Sequence, residues 1–110
     1  MPPKPSRLNA LQAKTLTLLQ EIARHPMFAE PGAEGAVVIR MLPDAHGDHF
    51  HIGSRVVLGR DATGLHNPSV HIALERKGLI ELVGLNIVLT PAGQAYDTGL
   101  RGKILHGSDH

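Results

Sequence analysis

The chain has 110 residues, with 11 Lys and Arg against 10 Asp and Glu, a formal charge of +1, and 8 histidines besides. At 42% hydrophobic and 19% charged it matches one folded domain rather than a disordered segment. The absence of cysteine excludes disulfides, thiolate zinc sites, iron–sulfur clusters and a cysteine nucleophile, and the near-neutral balance excludes a histone-like or ribosomal chain. Aromatic residues make up only 3%, so the core has to be aliphatic.

Residues 1–7, MPPKPSR, hold three prolines and two cations and read as a flexible basic arm. Leu8, Leu11, Thr15, Leu18 and Ile22 follow at helical spacing, widened by Leu16, Leu19 and Ala23, with Asn9 and Gln12 as a capping pair, Ser6 as an alternative start and Pro26 as the stop. After the loop at 31–35, Ala36–Leu42 is an apolar, β-branched run halted by Pro43. Asp44–Asp48 supplies a turn, and His49-Phe50-His51-Ile52 alternates with period two, so the expected element is a β-hairpin over 36–53. Residues 54–64 fit a short helix capped by Ser54 or a continued strand, and the pattern does not choose.

The next helix is better marked. Asn67 is a suitable N-cap, Pro68 stands at the first helical position, and Gly78 sits where a left-handed C′ residue is needed, with Leu79 free to pack back on Leu74. Leu79–Val83 and Asn86–Leu89, joined through Gly84-Leu85, read as a second hairpin. Thr90-Pro91 opens a last helix through Ala95 and Tyr96 towards Gly99, leaving 101–110 as a loosely docked tail. The domain is thus expected over 8–100.

Val70–Ile80, followed by Leu89-Thr90-Pro91-Ala92-Gly93, resembles the back half of a winged helix-turn-helix domain: a recognition helix, a Lys-Gly-Leu-Ile turn, a two-stranded wing and a Leu-Thr-x-x-Gly exit. The match covers residues 65–96. It implies an α+β, winged-helix-like fold with an N-terminal helix, an extra β-hairpin, a recognition-type helix, a short wing and a C-terminal helix. It also implies a DNA-binding transcriptional regulator with residues 67–77 in the major groove of double-stranded DNA. The wing, Glu81–Val88, departs from the pattern in carrying no Lys or Arg.

On the recognition helix the candidate contacts are His66, Asn67, Ser69, His71, Arg76 and Lys77. Asn suits bidentate reading of adenine, and the cations suit phosphate. Lys4, Arg7 and Lys14 are candidates for a neighbouring phosphate or the minor groove, because residues 1–20 hold those cations and no carboxylate.

His49 and His51 lie on one face of their strand, with Cβ atoms roughly 6.5–7 Å apart, and His46 or Asp48 from the turn is the expected third ligand for zinc or nickel. No nucleophile elbow, phosphate-binding loop or His-Glu-x-x-His motif is present, so a non-enzymatic role is expected. Surplus aliphatic residues on the wing and the first helix point to a homodimer, or to an interaction module as the alternative function. No apolar run approaches the ~18 residues of a membrane span and the start lacks a signal-peptide stretch, so the expected location is cytoplasmic.

Overall fold

The structure, a computed structural model, describes residues 7–107. It is an α+β fold in which helices pack with two antiparallel sheets of four strands each. Helix α1 (Ala10–Ile22) starts on a capping box, with Asn9 Oδ1 accepting from Gln12 N at 2.8 Å and Gln12 Oε1 accepting from Asn9 N at 3.2 Å. Leu16, Leu18, Leu19 and Ile22 are all fully buried. The apolar surplus of this helix is therefore consumed inside the monomer, where the helices at Pro68–Arg76 and Pro91–Ala95 and the turn at Gly59–Asp61 all contact it. It does not require a dimer.

The first sheet joins β1 (Ala29–Pro31), β2 (Val37–Ile39), β7 (Asn86–Leu89) and β6 (Ile80–Val83), in that spatial order. The second joins β3 (Ala45–His46), β4 (His49–Ile52), β5 (Arg55–Leu58) and β8 (His106–Gly107). The hairpin expected over 36–53 does not form. Val37 pairs with Leu89 and Ile39 with Ile87, whereas His49–Ile52 pairs with β3 and β5. Two-residue turns at Gly47-Asp48 and Gly53-Ser54 offer β4 partners on both sides at minimal loop closure, and residues around Pro43 carry the chain between sheets. The apolar run at 37–39 instead becomes an interior strand, flanked by β1 and β7.

The open choice at 54–64 resolves as strand β5 followed by a single 3-10 turn, Gly59–Asp61. Helix α2 (Pro68–Arg76) then begins on Asn67. It ends in a Schellman motif: Gly78 N donates to Glu75 O at 2.9 Å, and Leu79 N donates to Leu74 O at 3.1 Å. Gly78 has φ +75°, and Gly84, opening the two-residue turn of the β6–β7 hairpin, has φ +59°; both conformations favour glycine.

Helix α3 (Pro91–Ala95) is capped by Thr90 and stops before Tyr96, short of the expected run to Gly99. Gln20 Nε2 donates to the carbonyls of Gly93 and Tyr96 at 2.8 and 2.7 Å, satisfying the backbone where the helix ends. The tail is also firmer than expected. Helix α4 (Arg101–Ile104) buries Ile104 and Leu105, and β8 pairs with β5, so the folded unit extends through 107 rather than ending at 100. No helix among the described residues is long and apolar enough to cross a membrane.

Candidate nucleic-acid interface and histidine cluster

Helix α2 lies between α1 and β6, held by Val70 and Leu74, which are buried. Glu75 joins it to the next strand by accepting from Leu82 N at 2.7 Å. Its outer side exposes Pro68, Ser69, Ile72 and Arg76, with His66 exposed just ahead and Lys77 half-exposed behind. A groove of about 530 Å³ runs beside its start, lined by Met41, Leu42, His66, Pro68, His71 and Leu85 among others.

The sequence-derived contacts do not all stand ready. Asn67 Oδ1 accepts from Ser69 N at 3.0 Å, so the side chain works as the cap. Bidentate reading of adenine needs both the amide oxygen and the amide nitrogen, and the oxygen is already engaged. His71 Nε2 donates to Leu65 O at 2.7 Å, which ties the ring to the loop ahead of the helix. Lys14 Nζ is 3.0 Å from Asp61 Oδ1 and fastens α1 to the Gly59–Asp61 turn. Arg7 is exposed ahead of α1, and Lys4 lies outside the described residues, as does most of the expected arm. An exposed cation ahead of α2 was not among the sequence-derived contacts. Arg60 stands on the turn that leads to α2, inside the stretch whose pattern did not choose between helix and strand.

Asn67→Ala is expected to lower stability by about 1 kcal/mol, and Asn67→Ser to restore most of it, because serine also caps. Urea unfolding of the two variants checks this. Equal losses in both would contradict the capping role.

The histidines gather on the second sheet. Phe50 and Ile52 point into the core and leave His49 and His51 on the opposite face of β4. His46 is the cross-strand partner of His49. Ring centres are 4.8 Å apart for His49 and His51, 5.6 Å for His46 and His51, and 6.4 Å for His46 and His49. The Nε2 atoms of His49 and His51 converge, 3.1 Å apart. Among the described residues no group of three or more His, Cys, Asp or Glu is arranged to hold a metal ion, so the three-ligand set expected from His46, His49 and His51 is not assembled.

The class these observations define is a small α+β protein with two antiparallel sheets. Comparison with family models, with curated proteins and with solved structures finds no match for the chain.

Proposed function

We propose that the chain is a winged-helix DNA-binding protein, a transcriptional regulator that sets α2 in the major groove of double-stranded DNA. The observation that supports this most is the strand order β2–β7–β6, with α2 leading into β6 and packed on α1. Helix α1, strand β2, helix α2 and the β6–β7 hairpin come in that chain order, with β3, β4, β5 and the Gly59–Asp61 turn between β2 and α2, and the wing of this account is the β6–β7 hairpin. The helix that ordinarily precedes the recognition helix is reduced to the Gly59–Asp61 turn, fixed to α1 by Lys14 and Asp61.

On this account base contacts fall to His66 and Ser69, at the start of α2 where helix-turn-helix proteins meet base edges. Phosphate contacts fall to Arg60, Arg76 and Lys77, because the wing offers Glu81 and no cation. Asn67 and His71 support the helix from within. The role is binding rather than catalysis.

The experiment is an anisotropy titration of a labelled random-sequence duplex pool with the wild type and with Arg76→Ala/Lys77→Ala. Salt-sensitive binding that the double variant weakens is the expected result.

The wing tip favours a second reading, a self-association module. Leu85 is fully exposed and Val83 is 53% exposed, on a hairpin whose core-facing residues Ile87 and Leu89 are already buried. The same titration separates the two, because such a module leaves the duplex unbound.

A further inference from the structure

We propose that His49 and His51 form a two-imidazole chelate for a divalent late transition metal, zinc, nickel or copper(II), on the face of the second sheet that points away from the core. This is independent of the DNA-binding role, since neither residue belongs to α2, the wing or the Gly59–Asp61 turn.

The strand supplies the preorganisation. Phe50 and Ile52, alternating with the histidines, are 8% and 0% exposed and pin β4 to the core. Backbone pairing with β3 on one side and β5 on the other fixes the direction in which both imidazoles leave the sheet. Their Nε2 atoms lie 3.1 Å apart. Two nitrogens bound to one ion at about 2.0–2.1 Å stand roughly 2.9 Å apart at right angles and roughly 3.3 Å apart at a tetrahedral angle. The observed separation lies between these values. Little rearrangement is needed.

Asp48 adds a second device. Its Oδ1 lies 3.3 Å from His49 Nδ1, positioned to accept the Nδ1–H. That tautomer leaves the lone pair of His49 on Nε2, facing His51, as in the carboxylate–histidine pairs that orient metal ligands. Without metal, His51 donates an Nε2–H to His49 Nε2. Metal replaces that shared proton, His51 carries its N–H on Nδ1 instead, and both lone pairs meet the ion with no net change in the charge of either ring. Water completes the coordination. His46 flanks the pair, but among the described residues no three side chains are arranged to hold a metal ion, so the chelate is the two imidazoles alone. Affinity falls as the pH is lowered, since protons compete for the same nitrogens.

The test uses the full-length chain without a histidine tag, titrated with zinc sulfate by calorimetry in a non-chelating buffer near neutral pH. The wild type should bind one zinc per chain. His51→Ala should weaken it at least about tenfold, while His46→Ala, and His66→Ala combined with His106→Ala as a control, leave it within about threefold. Nitrogen-15 ring spectra of the wild type give a readout that needs no variant: zinc should move the signals of His49 and His51 ahead of the other histidines. No saturable binding, equal loss in His46→Ala and His51→Ala, or ring shifts spread over all the histidines would overturn the two-imidazole site.

Discussion

Gly93→Ala should lower the unfolding free energy by about 3 kcal/mol, a large fraction of what a domain of this size possesses. Gly93 is buried in α3, and a Cβ placed on it would stand 2.0 Å from the carbonyl oxygen of Leu79 and 2.8 Å from Leu89 Cδ1. The first obstacle is backbone, which cannot swing aside. That carbonyl is also the anchor of the helix: it accepts from Thr90 N at 3.2 Å and from Thr90 Oγ1 at 3.0 Å. Thr90 Oγ1 in turn caps Gly93 N at 3.0 Å. A methyl group at 93 must push α3 off the end of β6 and break this arrangement. Gly102→Ala is the matching control, helical and with nothing within 4 Å of its Cβ position, so it should be neutral or slightly stabilising. Urea midpoints of both variants decide the matter, and equal effects would contradict the close-approach account.

The second large effect is expected at the attachment of the C-terminal segment. Glu21 is only 4% exposed, and its carboxylate accepts from Arg101 Nη1 while lying 3.4 Å from His25 Nε2 and 3.8 Å from Arg24 Nη1. Arg101→Ala leaves this buried carboxylate with weaker partners and loosens α4 from α1. The Arg101 side chain is 46% exposed, so solvent screening holds the expected loss to about 1–2 kcal/mol, below the value for a fully buried pair.

The pH dependence has a definite sign. Burial on its own raises the Glu21 pKa, but the hydrogen bond and charge of Arg101, with help from His25 and Arg24, hold it below its ordinary value of 4.5. A carboxyl lowered in the folded state stabilises fully above its unfolded pKa and loses that contribution as the pH falls through the folded value. Wild-type urea midpoints should therefore decline below about pH 4.5, and Arg101→Ala should flatten that decline. An unchanged acid limb in the variant would remove Glu21 from the explanation.

Features set within a few residues were legible before any coordinates. The Asn9–Gln12 box, the Asn67-Pro68 helix start, the Gly78 stop and the Gly84-Leu85 turn each depend on local φ/ψ preferences and short hydrogen bonds. Strand partnership was not legible in the same way. Val37–Ile39 and His49–Ile52 are neighbours in sequence and read as one hairpin, yet they belong to different sheets. One of the two partners of Val37–Ile39 arrives some fifty residues later, as Ile87–Leu89, and nothing in a local pattern encodes that register. The docking of Ile104 and Leu105 is hidden for the same reason, because its acceptor is the core rather than an adjacent residue.

The candidate sites divide along the same line. Period-two alternation alone put His49 and His51 on one face, and their nitrogens do converge. Whether His46 joins them depends on ring orientation, which spacing does not specify. Residue type placed Asn67 and Lys14 among DNA contacts, but their oxygen and ammonium groups have partners within the fold. Arg60 was missed because its surroundings matched no single element.

The most direct test of the DNA-binding account is the duplex titration carried out near 50 and near 200 mM salt. Three phosphate contacts, from Arg60, Arg76 and Lys77, predict about a 40-fold loss of wild-type affinity across that range, and only about 3–4-fold for Arg76→Ala/Lys77→Ala. No binding at tens of micromolar in low salt, or an identical salt dependence in wild type and variant, would contradict the placement of α2 on DNA.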